Sequence, residues 1–149
     1  MGIPTVLNTT DIMSSSVKTI LVLEDEGSLM RLMLHMLKQY RVIEANTAEQ
    51  ALILSSAHGR QVDLLIADVM LPSLSGIQVA LLLRSQIPDL PVILTSGYLV
   101  GNWRAVDSAD LERLGSSLVT VLQKPFQEKG LLAAVRELLA PLPEETGTA

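Results

Sequence analysis

The chain alternates short apolar runs with longer stretches in which apolar residues recur every three or four positions. Short apolar runs bounded by polar or turn-forming residues predict buried strands, and the longer period predicts amphipathic helices. The predicted strands are residues 18–23, 42–44, 64–67, 92–94 and 119–122. The predicted helices are residues 28–39, 48–58 after a Thr47 cap, 77–85, a segment within 102–114, and 128–140. Strands that alternate with helices in this way indicate repeated βα units and a parallel sheet.

The predicted strands are almost continuously apolar, which is typical of strands that helices cover on both faces. Right-handed crossovers and the strand order 2-1-3-4-5 would assemble them into one doubly wound α/β sheet, a three-layer sandwich. A chain of 149 residues, of which 48% are hydrophobic, is long enough for one domain with one core. We expect this domain to span residues 17–140, with a flexible leader at 1–16 and a flexible tail at 141–149.

Polar side chains follow four of the predicted strands. They are Glu24 and Asp25 after the first strand, Asp68 after the third, Ser96 after the fourth and Lys124 after the fifth. Open α/β sheets bind their ligands beyond the carboxyl ends of the strands, at the switch point where the first and third strands are neighbours. Clustered carboxylates repel one another unless a cation balances them, and Mg²⁺ is a hard ion that prefers oxygen ligands. The pattern therefore predicts a divalent-metal and phosphoryl site at this edge.

Each of these residues taken singly has a simpler interpretation. Acidic residues after a strand are more often solvated loop charges or helix caps, and Asp68 alone would be a residue that caps a turn. Lys124 alone would be a surface lysine. Ser96 alone would be a serine whose hydroxyl forms hydrogen bonds with nearby backbone groups. The metal and phosphoryl interpretation depends on their convergence at one edge of the sheet.

Composition and charge argue against several classes of function. The net charge of −5, without a lysine or arginine cluster, argues against nucleic-acid binding. The absence of cysteine excludes disulfides and thiolate metal sites. No apolar stretch is long enough to span a membrane, and the N-terminus does not resemble a signal peptide, so we expect a cytoplasmic protein. No glycine-rich fingerprint or P-loop follows the first strand, which argues against dinucleotide and ATP sites.

Three motifs together resemble the receiver domain of two-component response regulators. They are Glu24-Asp25, the segment DVMLPSLSG at residues 68–76, and Lys124-Pro125-Phe126. The resemblance covers about residues 18–139, and the combination is much more specific than any one motif. It implies a flavodoxin-like (CheY-like) fold and a phosphoacceptor module that signals through protein contacts. It also implies that the module receives its phosphoryl group from a histidine kinase or a histidine phosphotransfer protein.

The resemblance also implies a role for each site residue. Asp68 corresponds to the phosphorylated aspartate, a carboxylate nucleophile. The implied Mg²⁺ ligands are Asp25, with Glu24 beside it, Asp68 and the backbone carbonyl of Met70. Ser96 corresponds to the switch hydroxyl, and Lys124 to the lysine that pairs with the phosphoryl oxygens and precedes a cis proline. Such a domain catalyses only its own phosphorylation and dephosphorylation.

The chain departs from the family pattern in the sequence that follows Ser96. Residues 99–104 form an extension, and Val121 stands where many receivers carry an aromatic residue that swings inward on phosphorylation. An aromatic rotamer switch cannot operate at a valine. We therefore expect the response to travel from Ser96 through Tyr98 and residues 99–106 to the fourth helix.

Two alternatives to a phosphorylated signalling module stay open. A Mg²⁺-dependent phosphatase is one, although such enzymes place a second aspartate two residues after the nucleophile, where this chain has Met70. A degenerate receiver that serves only as a docking scaffold is the other, and the intact site set argues against it. The sequence also leaves open the cognate kinase, the downstream target, a homodimer, and a stand-alone or hybrid-kinase origin.

Overall fold

The computed structural model describes residues 17–140, so the predicted leader and tail lie outside the described residues. Its centre is one five-stranded parallel sheet in the order β2-β1-β3-β4-β5. The strands are β1 (Thr19–Leu23), β2 (Arg41–Ala45), β3 (Leu64–Asp68), β4 (Val92–Ser96) and β5 (Val119–Gln123). The helices are α1 (Gly27–Met36), α2 (Ala48–His58), α3 (Gly76–Arg84), α4 (Ala105–Leu114) and α5 (Glu128–Leu139), with 3₁₀ turns at Gly59–Gln61 and Val100–Asn102. The predicted fold class and strand order are confirmed.

The largest boundary error concerns α1, which was predicted to reach Gln39 and ends at Met36. The amide of Leu37 donates to the carbonyl of Met33, and the amide of Tyr40 donates to the carbonyl of Leu37, so a tight turn replaces the last helical residues. Leu37 is nevertheless fully buried. Its burial continues the apolar period beyond the helix, which is why the sequence pattern overestimated the helix length.

The sheet is covered on both faces, and alternate strand residues supply two apolar cores. One core contains Leu21 and Leu23 of β1 together with residues of α2, α3 and the end of α4. The other contains Ile20 and Val22 of β1 together with the methionines of α1 and the inner face of α5. All residues of β1, β3 and β4 are buried, whereas β5 is a partly exposed edge strand. The rigid central strands therefore fix the edge at which the polar residues lie.

The two helices after β2 and β3 begin at well-formed caps. The hydroxyl of Thr47 accepts the amide of Gln50 at 3.0 Å, as the Thr47 cap predicted. Ser75 and Gln78 form a reciprocal capping box at the start of α3. These caps satisfy amides that a helix start leaves without partners. They fix where α2 and α3 begin, beside the carboxyl ends of the strands.

At the opposite edge of the sheet, Arg84 joins four backbone segments. Its Nε donates to the carbonyl of Leu90 at 3.0 Å, and its Nη1 donates to that of Leu114 at 3.1 Å. Its Nη2 donates to the carbonyls of Ser117 at 3.1 Å and Leu118 at 3.3 Å. Burial lowers the pKa of Arg84, but a guanidinium stays charged at neutral pH. The end of α3 is thereby tied to the end of α4 and to the loops that enter β4 and β5.

We expect Arg84→Met to lower the free energy of unfolding by about 2 kcal/mol, because partly buried carbonyls lose a charged donor. Urea unfolding followed by circular dichroism measures this loss. Arg136→Met is the matched control, since Arg136 is exposed on α5. Equal stability of the two variants would contradict the assigned role of Arg84.

Candidate functional site

Three carboxylates meet at the carboxyl ends of two neighbouring strands. Glu24 and Asp25 follow β1, and Asp68 is the last residue of β3. The strands are paired in parallel with Leu23 opposite Ala67, so both chains reach this edge together. One oxygen from each carboxylate lies within 4.8 Å of the others. Glu24 is 1% exposed and Asp68 is 5% exposed, whereas Asp25 faces solvent.

Lys124 reaches this cluster from the end of β5. Its Nζ lies 2.9 Å from Asp68 Oδ2 and 3.1 Å from Glu24 Oε1. Its backbone amide donates to the carbonyl of Ser96 at 2.7 Å, which fixes the start of the lysine side chain against β4. The peptide bond from Lys124 to Pro125 is cis, as predicted. One ammonium group thus contacts two of the three carboxylates, Glu24 and Asp68.

The charges in this cluster shift one another's pKa values. Burial raises the pKa of Glu24, and repulsion from Asp68 acts in the same direction, against the hydrogen bond from Glu26 and the attraction of Lys124. Burial alone would lower the pKa of Lys124, but its hydrogen bond to Asp68 and the attraction of Asp68 and Glu24 outweigh burial and raise it. Lys124 is therefore firmly protonated at neutral pH, and the cluster keeps an excess of negative charge.

The residues of the cluster fit a hard divalent cation. Glu24 Oε1 is buried and makes no hydrogen bond of good geometry, although Lys124 is close to it, while Glu24 Oε2 accepts the Glu26 amide at 3.0 Å. An excess of buried negative charge and an oxygen without a hydrogen bond are the features that an oxygen-preferring cation would balance. The three carboxylates Glu24, Asp25 and Asp68 could hold such a metal ion.

The second oxygen of Asp68 is held by the loop that follows β3. The amide of Met70 donates to Asp68 Oδ1 at 3.1 Å, while Lys124 occupies Oδ2. Both carboxylate oxygens are therefore oriented before any ligand arrives. Met70, whose amide holds Asp68, is 41% exposed, so the loop beside the buried Asp68 carboxylate lies at the surface. A phosphoryl donor could approach from there.

Ser96 ends β4 and is fully buried, and its hydroxyl is hydrogen-bonded to the backbone of Tyr98. The hydroxyl donates to the carbonyl of Tyr98 and accepts the Tyr98 amide, each at 3.0 Å. The indole Nε1 of Trp103 donates to the same carbonyl at 3.1 Å. The predicted extension after Ser96 is thus a closed turn with a defined shape.

The structure brings together Glu24, Asp25, Asp68 and Lys124, as the sequence predicted, and sets Ser96 at the end of β4, the strand beside β3. Sequence reasoning missed two features. The hydrogen bond from Trp103 to Tyr98 has no signal in the sequence. The direct contact between Lys124 and Glu24 follows from the burial of Glu24, which an acidic run after a strand does not reveal.

Comparison with known proteins assigns the class. The family model of the response regulator receiver domain matches residues 20–136, so the chain belongs to the response regulator receiver domain family. Receiver domains are phosphoacceptor modules of two-component signalling and interact with histidine kinases. No helix among residues 17–140 has the length and apolar character needed to cross a membrane.

The particular relatives carry receivers in different settings. The chain is 34% identical over 126 residues to the alkaline phosphatase synthesis transcriptional regulatory protein PhoP of Bacillus subtilis, covering 82% of this chain and 48% of that protein. It is 31% identical over 132 residues to the sensor kinase CckA of Brucella abortus, covering 87% of this chain and 13% of that protein. The chain thus spans about half or less of the length of these relatives.

Solved structures agree with this fold. The receiver domain of the hybrid histidine kinase CckA is 30% identical, with a TM-score of 0.67, and the match covers 81% of this chain and 98% of that one. A response regulator receiver domain protein from Clostridium thermocellum has a TM-score of 0.70 at 22% identity, covering 83% of this chain and 94% of that one. The second likeness concerns the fold alone.

Proposed function

We propose that Asp68 is the phosphoacceptor of this receiver and that it takes a phosphoryl group from a phosphohistidine. The observation that carries the proposal is the buried Asp68 carboxylate at the end of β3, with Lys124 Nζ at 2.9 Å and two further carboxylates in the same cluster. Asp68 lies next to the exposed Met70, so a donor that contacts the surface loop after β3 comes close to the carboxylate. The phosphorylated domain then signals through protein contacts.

In the proposed reaction, a carboxylate oxygen of Asp68 attacks the phosphorus atom of the donor. The phosphorus–nitrogen bond breaks, the imidazole leaves with the bonding electrons, and an aspartyl phosphate remains. Phosphoryl transfer needs alignment and positive charge near the equatorial oxygens more than covalent chemistry. Asp68 is already aligned by Met70 and Lys124, and the ammonium of Lys124 can stay with the transferred phosphoryl oxygens.

We assign the metal site to Glu24, Asp25, Asp68 and the backbone carbonyl of Met70, with Mg²⁺ as the ion. When bound, Mg²⁺ neutralises charge on the phosphoryl oxygens and keeps several of its own waters. Asp25 is the exposed carboxylate and would serve as the direct ligand, while Glu24 would act through water. The excess of carboxylates over Lys124 supports a cation at this position.

The donor is a histidine kinase or a histidine phosphotransfer protein. The 30% identity to the receiver of the hybrid histidine kinase CckA supports a kinase partner, while the match to PhoP is to a transcriptional regulatory protein. Both settings use the same phosphoacceptor chemistry. The receiver itself catalyses only its own phosphorylation and dephosphorylation.

Acetyl phosphate tests the phosphoacceptor, because it replaces the phosphohistidine donor. Incubation with Mg²⁺ should add one phosphoryl group by intact mass, and EDTA should prevent the addition. Borohydride reduction converts an aspartyl phosphate to homoserine, and peptide mapping should then find homoserine at position 68. Homoserine at any other position, or labelling that EDTA leaves unchanged, would overturn the proposal.

We expect Asp25→Asn to weaken Mg²⁺ binding by roughly tenfold or more, because one metal ligand loses its charge. A Mg²⁺ titration followed by NMR or by the fluorescence of Trp103 measures the change. Glu26→Gln is the matched control, since it removes one negative charge next to the cluster without removing a ligand. Unchanged binding in Asp25→Asn would mean that the metal site lies elsewhere.

A further inference from the structure

The carbonyl of Tyr98 accepts hydrogen bonds from two side chains at once. The hydroxyl of Ser96 donates from one side at 3.0 Å, and the indole N–H of Trp103 donates from the other at 3.1 Å. A serine hydroxyl carries a single proton. In this structure the proton of Ser96 is therefore directed to Tyr98, and the same carbonyl links Ser96 to Trp103.

Trp103 stands between this carbonyl and helix α4. Its ring is partly buried against the core that α2, α3 and α4 share, and α4 begins two residues later at Ala105. The turn before it is closed by the amide of Asn102, which donates to Leu99 at 2.8 Å, and by the amide of Trp103, which donates to Val100 at 3.1 Å. The indole thus ties the end of the extension to its beginning.

We propose that Trp103 is the positioning residue that transmits the state of Ser96 to α4, an inference that rests on the proposed phosphorylation of Asp68. A phosphoryl group at Asp68 brings three acceptor oxygens near the end of β4. When the Ser96 hydroxyl donates its hydrogen bond to one of them instead, the Tyr98 carbonyl keeps only the indole of these two side-chain donors. When that carbonyl moves, Trp103 moves with it, and the start of α4 follows.

The two ends of α4 differ in a way that supports this route. At its start, Arg104 holds the buried Asp107 with a two-pronged contact, Nε to Oδ2 at 2.8 Å and Nη2 to Oδ1 at 3.2 Å. Arg104 directly follows Trp103, so movement of the indole reaches the first turn of α4. At its end, the carbonyl of Leu114 is held by Arg84. Arg104 and Asp107 both belong to the start of α4, whereas Arg84 belongs to α3, so the start of α4 can move as one unit with Trp103 while its end is tied to another helix.

The side chain of Tyr98 is the obvious rival for this role, and the geometry argues against it. The ring is 58% exposed, and Tyr98 enters the hydrogen-bonded group through its backbone amide and carbonyl. The side chain of Val121 has no polar atom, and it lies on the partly exposed edge strand β5. The polar link from Ser96 through the Tyr98 carbonyl toward α4 runs through the indole N–H of Trp103.

The chain has one tryptophan, so an amino-acid analogue fed to a tryptophan auxotroph replaces residue 103 alone. Benzothienylalanine keeps the bicyclic ring but has sulfur in place of the N–H, and Trp103→Phe serves as a genetically encoded second variant. Hydrogen exchange of the α4 amides is compared with and without saturating beryllofluoride and Mg²⁺. We expect the beryllofluoride-dependent change in α4 to fall about fivefold in the analogue protein, the factor that one net hydrogen bond of about 1 kcal/mol produces.

Tyr98→Phe is the matched control, because it removes the exposed hydroxyl and keeps the backbone group. It should retain the full change in α4. An undiminished change in the analogue protein, or a loss in Tyr98→Phe alone, would overturn the role of Trp103. Fluorine NMR of bound beryllofluoride reports ligand binding separately: failure of the unsubstituted protein to bind would refute the proposed function, whereas binding with a silent α4 would refute only this inference.

Discussion

Asp68→Asn should abolish phosphorylation by acetyl phosphate. The carboxamide nitrogen and oxygen are poor nucleophiles toward phosphorus, and the neutral side chain cannot share Lys124 as a charged partner. The fold should persist, because Lys124 keeps Glu24 at 3.1 Å and the cluster loses one of three mutually repelling carboxylates. We therefore expect complete loss of labelling without loss of stability.

Intact mass spectrometry and thermal unfolding measure both halves of this prediction. Asp89→Asn is the control, since Asp89 is an exposed aspartate in the loop before β4, at the other edge of the sheet. It should label like the unsubstituted protein. Undiminished labelling of Asp68→Asn would remove the phosphoacceptor assignment, and a large fall in its melting temperature would show that the carboxylate mainly stabilises the fold.

The sheet was predictable because its strands carry a strong and simple signal. Apolar runs such as 64–67 are too short for helices and are bounded by polar residues, so their type and order follow from the alternation with helices. The errors in the predicted strands lie at their ends. Asp68 and Ser96 are the last residues of their strands in the structure, whereas the apolar runs stop earlier. A polar side chain can end a strand when it has a hydrogen-bond partner, which is Lys124 for Asp68 and the backbone of Tyr98 for Ser96.

Helix α4 was the least certain prediction for a physical reason. Its buried side carries Asp107 and Asp110, which weaken the apolar period by which a helix is recognised. Arg104 and Arg113 each pair with one of these aspartates three residues away, so local ion pairs replace apolar contacts. Such pairs depend on side-chain geometry, which the spacing of apolar residues does not encode.

The candidate site, like the fold, could be predicted from the sequence only in part. The positions of Glu24, Asp25, Asp68 and Lys124 at one edge follow from topology, since parallel strands end on the same side. The hydrogen-bond and ion-pair partners of each side-chain atom do not follow from the topology. Ser96 was expected to face the phosphoryl group, and its hydroxyl is engaged with Tyr98 in this structure. If Ser96 is the switch hydroxyl, as proposed, its response to the phosphoryl group must break an existing hydrogen bond, which only the three-dimensional arrangement reveals.

Gly76→Ala should be the most damaging small substitution in the chain's described part. Gly76 is the first residue of α3, and a Cβ there would lie 2.3 Å from the carbonyl oxygen of Asp68 and 2.9 Å from the Cβ of Ala67. Both neighbours belong to the buried strand β3, so neither can turn away. The start of α3 must move instead. We expect a loss of about 3 kcal/mol in the free energy of unfolding.

The same movement should slow phosphorylation, because the backbone that α3 would press against is that of the proposed phosphoacceptor. Gly130→Ala is the matched control: Gly130 lies in the first turn of α5, and a Cβ there would meet nothing within 4 Å. Alanine is the better helix former, so this variant should gain roughly 0.5 kcal/mol and label normally. Urea unfolding and acetyl phosphate labelling of both variants test the pair. A stable, normally labelled Gly76→Ala would mean that α3 can shift without disturbing Asp68.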